Sequence, residues 1–188
     1  MRIPYTLQMK HILEEIQETS VKISQDETRA FSEKVLSAGR VFCSGSGRSG
    51  LMVNAFAMRL MQLGFTSYVV GEIVTPRIGK GDLLVVGSGS GETSHLFLNA
   101  KNANRCGADV ALITIFPKSS IGSVSDTIVR IPASSSKISH KSQAESIQPG
   151  GSLFEQCLLI FLDAVVMSVM RAKKLDPGII MTRHANLE

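Results

Sequence analysis

The chain has 188 residues, 44% of them hydrophobic, with a formal net charge of +4 and no tryptophan. That length and apolar content suit one α/β domain with a full core. Basic residues are dispersed and aromatics are sparse, which argues against nucleic-acid binding and against recognition by ring stacking.

Apolar residues Met9, Ile12, Leu13, Ile16, Ile23, Ala30, Phe31 and Val35 recur at helical spacing. They predict an N-terminal helical segment within residues 1–38, broken near Ser20 and stopped at Gly39. Arg40 to Ser44 reads as a strand, Ser49 to Leu63 as a helix ended by Gly64, and the β-branched, aromatic run Thr66 to Val70 as a second strand. A turn containing Pro76, Gly79, Gly81 and Asp82 leads into the strand Leu83 to Gly87.

Thr93 to Arg105 is helical, Val110 to Phe116 is a strand, and Thr127 to Ile131 is a strand cut off by Pro132. Residues 133–151, rich in serine and glycine, form a loop long enough to be functional or mobile. Ser152 to Lys173 is a long apolar helix. Its Glu155, Gln156 and Asp163 argue for a buried core element rather than a membrane span. Asp176-Pro177 reads as the cap and first position of a short helix in the tail 174–188.

Strands alternating with helices, apolar on both faces, define an α/β fold: a parallel sheet sandwiched between two helical layers, Rossmann-like or flavodoxin-like. No second domain is visible, so residues 1–188 are read as one. Cys43, Cys106 and Cys157 are odd in number and match neither a disulfide framework nor a zinc site. With no signal segment, they point to a reduced, cytoplasmic protein.

Two runs carry the chemistry: Gly45-Ser46-Gly47-Arg48-Ser49-Gly50 and Ser88-Gly89-Ser90-Gly91-Glu92-Thr93. Each lies where a strand turns into a helix, so free backbone N–H groups and the helix dipole favour an anion there. Ser46, Ser49, Ser88, Ser90 and Thr93 add hydroxyl donors, and Gly47 and Gly89 let a phosphate approach the backbone. The first run also satisfies the dinucleotide pattern Gly-x-Gly-x-x-Gly, with Glu72 at roughly the twenty-residue offset of a ribose-binding acid. That pattern leaves the second serine loop unexplained, and the chain has no room for a separate catalytic domain.

These two runs, followed by Gln148-Pro149-Gly150-Gly151-Ser152-Leu153-Phe154-Glu155-Gln156, resemble the sugar isomerase domain of phosphosugar isomerases. Ala57-Met58-Arg59-Leu60-Met61 and the terminal His184-Ala185-Asn186-Leu187-Glu188 are similar, more narrowly, to the 6-phospho-3-hexuloisomerase family. The resemblance implies a five-stranded parallel core. It also implies isomerisation of D-arabino-hex-3-ulose 6-phosphate to fructose 6-phosphate, needing neither metal nor cofactor. A homotetramer with active sites near subunit boundaries is implied as well, together with a hexulose-phosphate synthase as partner in the ribulose monophosphate pathway. The alternatives are another phosphosugar aldose–ketose isomerase and, from another class, a non-catalytic phosphosugar sensor, although no DNA-binding module is visible beside this domain.

Moving a carbonyl from C3 to C2 requires a base that takes a proton at C2 and returns it at C3. Glu155 is the candidate. Ser152-x-x-Glu155 is also a capping box, and from the residues alone the helix cap is the favoured reading of Glu155; the resemblance reverses that and assigns it the proton transfer. Arg48 is placed to hold the phosphate or the enediolate oxygens. Arg59, in an apolar helix, calls for a carboxylate or carbonyl partner or a ligand contact, and Gln148 is a further candidate ligand. Related arabinose-phosphate isomerases carry a histidine after the corresponding long helix, which implies a proton-relay or ring-opening role for His184.

Overall fold

The computed structural model describes residues 4–134, 146–176 and 178–187. Two helices open it, α1 (Tyr5–Ser20) and α2 (Gln25–Ser37), parted where the apolar spacing breaks. Ser24 caps α2 by accepting a hydrogen bond from the Glu27 N–H, and Asp26 and Glu27 sit at the positive end of the helix dipole.

Five strands come next, β1 (Val41–Gly45), β2 (Ser67–Val69), β3 (Leu83–Gly87), β4 (Asp109–Thr114) and β5 (Thr127–Arg130). All pair in parallel, in the order β2-β1-β3-β4-β5. Helix α3 (Gly47–Gln62) connects β1 to β2, and α4 (Ser94–Arg105) connects β3 to β4. A 3-10 turn (Gly122–Val124) precedes β5, and α5 (Ser152–Ala172) and α6 (Ile179–Thr182) close the chain.

Alternation along the strands builds two cores. Val41, Cys43, Leu83, Val85, Ala111 and Ile113 point to the layer of α2, α3 and α5, where the Phe31 ring packs, tilted, against those of Phe56 and Phe161. Phe42, Leu84, Val86, Val110 and Leu112 point the opposite way, onto Leu96, Ala100 and Ala103 of α4. Burying both faces is what makes β3 an unbroken apolar run. α5 is long and apolar enough to cross a membrane by length and composition, yet its Leu158, Leu162, Val165 and Val169 are buried in this core. α1 packs on the outside of α5.

The α/β expectation holds, with element boundaries shifted by a residue or two. β4 ends at Thr114 rather than Phe116 because the Ile115 N–H turns away to donate to the Gly89 carbonyl. Of the long loop at 133–151, residues 135–145 lie outside the described residues. In the tail, α6 starts at Ile179 with Gly178 as its cap residue, not at Asp176-Pro177. Asp176 instead accepts a hydrogen bond from the Gly178 N–H in a local turn, and Pro177 lies outside the described residues.

Candidate active site

The strand order reverses between β1 and β3, so the loops leaving their carboxyl ends diverge and open a crevice. In that crevice lies a cavity of about 290 Å³. Three helices begin at its wall: α3 through Ser46–Ser49, α4 through Thr93, and α5 through Gly151, Phe154 and Glu155. Convergent helix N-termini concentrate positive potential and N–H donors on one volume, which suits a phosphate group. Neither Ser46 nor Thr93 spends its hydroxyl on capping its own helix.

Glycine sets the shape of the first loop. A Cβ on Gly45 would lie 2.8 Å from the Gly50 Cα, so β1 and the first turn of α3 pack backbone to backbone. Gly47 takes φ +54°, turning the chain between them. These contacts account for the glycines of the dinucleotide-like pattern, while Glu72 is exposed beyond β2 and does not line the cavity.

The second loop is preformed. Ser88 Oγ accepts from the Gly91 N–H at 3.2 Å, and Ser90 Oγ accepts from the Glu92 N–H at 3.1 Å. Gly89 and Gly91 carbonyls accept from the Ile115 and Ile121 N–H groups at the β4 end. Glu92 accepts from the Ser120 hydroxyl and N–H, and these bonds hold its carboxyl below the usual carboxylate range. Glu92 orders the loop and leaves the cavity to the serines.

Among the described residues that wall the cavity, Glu155 is the one buried carboxylate, 8% exposed at the start of α5. Gly151, not Ser152, is the cap residue of α5, and no side-chain cap bond forms. The Glu155 carboxylate is therefore directed not at its own helix end but across the cavity, where Oε2 accepts from Arg48 Nε at 2.5 Å. Arg48 keeps 58% of its side chain exposed and closes one side.

The structure thus brings together Ser46, Gly47, Arg48, Ser49, Ser88, Gly89, Ser90, Thr93 and Glu155. Three expected residues stand elsewhere. Gln148 is 5% exposed and donates its Nε2 to Glu15, so it holds chain rather than facing this cavity. Arg59 donates at 2.9 Å to the side-chain amide carbonyl of Gln62 in the last turn of α3, neither a carboxylate nor a loop carbonyl. The neighbouring Arg183 of the tail donates to the Gln62 backbone carbonyl, which anchors the exposed His184 at the wrong end of α3. Fourteen residues at 1.5 Å rise put that end ~21 Å from Arg48, and among the described residues none of the tail borders its own chain's cavity.

Sequence reasoning did not single out Leu96, Ile115 and Phe154, the apolar wall. Nor did it single out a second cavity of about 460 Å³ on the other side of Arg48, lined by Gln8, His11 and Ile12 of α1 with Gln148, Ser152 and Gln156. The signal was present in Gln8, His11 and Ile12, which share one helix face.

Residues 34–159 match the SIS domain model, and with this fold and this site the chain belongs to the SIS domain family. It is 48% identical to the 3-hexulose-6-phosphate isomerase of Bacillus subtilis over 94% of this chain and 95% of that protein. It is 40% identical to the 3-hexulose-6-phosphate isomerase of Mycobacterium gastri over 94% of this chain and 88% of that protein. Among solved structures, a Methanococcus jannaschii protein, whose structure was read as inferring a 3-hexulose-6-phosphate isomerase, superposes with a TM-score of 0.83 at 31% identity. That match covers 96% of this chain and 99% of that one.

Proposed function

We propose that this protein is a 3-hexulose-6-phosphate isomerase, interconverting D-arabino-hex-3-ulose 6-phosphate and D-fructose 6-phosphate in the ribulose monophosphate pathway of formaldehyde fixation. The observation that carries the reading is a buried carboxylate facing a cationic side chain across a phosphate-sized cradle, in a chain 48% identical to such an isomerase.

The substrate phosphate occupies the serine loops, held by the N–H groups opening α3 and α4 and by the hydroxyls of Ser46, Ser49, Ser88, Ser90 and Thr93. Glu155 takes the proton from C2. The C–H electrons form the C2=C3 double bond, and the C3 carbonyl pair moves onto O3, giving an enediolate. Arg48, released from Glu155 as substrate enters, stabilises the charged oxygen. The O2 proton passes to O3, restoring a hydroxyl there, the C2 carbonyl forms, and C3 takes its proton back from the Glu155 carboxylic acid. One carboxylate serves both carbons because they are adjacent.

The protein acts as a homotetramer in the cytoplasm, beside a synthase that supplies the hexulose phosphate. Its unpaired cysteines support the reducing compartment. Exposed Leu51 and Met58 on α3 and Ile160 and Met167 on α5 support association along adjacent helices. On this reading His184 has a role only across a subunit boundary. A coupled assay that reduces or oxidises the fructose 6-phosphate formed tests the activity: the purified chain turns over the hexulose phosphate. Binding of fructose 6-phosphate without turnover would favour the sensor alternative.

A further inference from the structure

Helix α1 packs on α5, and Ile16 joins the core that α5 builds. Beside it, Glu15 forms no ion pair among the described residues. Its carboxylate instead accepts three hydrogen bonds from one short stretch: Ser146 Oγ at 2.9 Å, the Ile147 N–H at 2.9 Å and Gln148 Nε2 at 3.0 Å. Ser146 Oγ in turn accepts from the Gln148 N–H at 3.0 Å. Residues 146–148 are wrapped around a single carboxylate.

This clasp leads directly into the start of the catalytic helix. The Pro149 carbonyl accepts from the Ser152 N–H at 3.2 Å, Gly150 turns at φ +63°, and the Gly151 carbonyl accepts from the Glu155 N–H at 3.0 Å. Gly151 and Glu155 both wall the cavity. No side-chain cap fixes where the first turn of α5 begins. The clasp supplies that fixed point seven residues before the carboxylate. Burial opposes ionisation of Glu15, but the bonds from Gln148, Ile147 and Ser146 outweigh it and hold its carboxyl below the usual range.

We infer that Glu15 is a positioning residue for the isomerisation: by gripping residues 146–148 it sets the first turn of α5 and holds Glu155 toward the cavity. The inference rests on the reading of Glu155 as the base. It also explains why Gln148, whose position suggests a ligand, is spent on protein.

The test compares Glu15→Gln, Glu15→Asp, Glu155→Gln and the double variant. Glu15→Gln is expected to lower kcat for the hexulose phosphate by about 10- to 100-fold, the scale of a misplaced reacting group, with KM changed less than about threefold. Hydrogen exchange is expected to rise in residues 147–156 and not in the sheet. Glu15→Asp, which keeps the charge, recovers part of kcat. The double variant is no slower than Glu155→Gln alone, because Glu15 acts through Glu155. An unchanged kcat in Glu15→Gln beside an inactive Glu155→Gln overturns the positioning role alone. So does exchange raised throughout the molecule, which marks general destabilisation. Full activity in Glu155→Gln overturns the base assignment and this inference with it.

Discussion

Arg48 and Glu155 lie 107 residues apart in the chain and meet at 2.5 Å across the mouth of the cavity. Each stands in the first turn of its own helix. Glu155 is favoured there by the dipole of α5, whereas Arg48 faces the positive end of α3 and is offset by the carboxylate. In the mechanism we propose, the pair keeps Glu155 buried yet ionically satisfied until an anionic substrate takes over the guanidinium.

Replacing Arg48 therefore separates chemistry from folding. Arg48→Ala is expected to lower kcat/KM by about 100- to 1,000-fold, the scale of losing one donor to a developing oxyanion. Arg48→Lys keeps the charge without the planar fork and recovers only part of the loss. Thermal unfolding of Arg48→Lys stays close to wild type, since the side chain is 58% exposed and the charge facing Glu155 is kept.

At the strand–helix turn, Gly45→Ala places a methyl group 2.8 Å from the Gly50 Cα and 2.9 Å from its nitrogen. Backbone cannot yield as a flexible side chain does, so urea unfolding is expected to show a loss of about 1–3 kcal/mol. The phosphate cradle shifts with it, and KM rises. A neutral Gly45→Ala would mean that β1 and α3 do not pack this closely.

Stability in acid has a centre at the opposite end of the sheet. Asp82 is 5% exposed; burial opposes its ionisation, but Arg40 at 2.6 and 2.9 Å and the Gly79 N–H at 2.8 Å hold its carboxyl below the usual range. A depressed carboxyl stabilises fully above its unfolded value near about 3.9, and that stabilisation is lost as pH falls through the lower folded value. Asp82→Asn is expected to cost about 1–3 kcal/mol at pH 7. The gap to wild type narrows as urea unfolding is repeated toward pH 3, while KM at pH 7 stays unchanged.

Thiol labelling reports the core. Burial pushes the Cys43 thiol up to about 12 and the Cys157 thiol to about 11. Only Cys106, partly exposed, is expected to react with iodoacetamide at pH 8 in the folded protein, the other two labelling on unfolding. Prompt labelling of Cys43 would contradict the sheet register around β1.

The parts of this molecule legible in its sequence are those set by local rules. β1 and β3 read as strands from their apolar runs, and both serine loops read as strand-to-helix turns from their glycines. Long-range choices were not legible. Ser24-x-x-Glu27 and Ser152-x-x-Glu155 carry the same capping pattern, yet in neither does the glutamate return to its serine. Glu27 accepts from the Arg130 N–H and Glu155 from Arg48, partners more than a hundred residues away. Gln148 stands in a ligand-like motif and is claimed by Glu15. His184 comes after the long helix in sequence, but the Arg183–Gln62 contact carries it to the far end of α3.

Everything proposed for the chemistry turns on Glu155 moving the proton between C2 and C3. The decisive experiment is Glu155→Gln with hexulose 6-phosphate in deuterated water, following turnover and deuterium incorporation together. Proton transfer by Glu155 predicts a kcat about 100- to 10,000-fold below wild type, exchange lost in parallel, and fructose 6-phosphate bound within a few-fold of wild-type affinity. A variant that keeps most of its turnover and its exchange would contradict it.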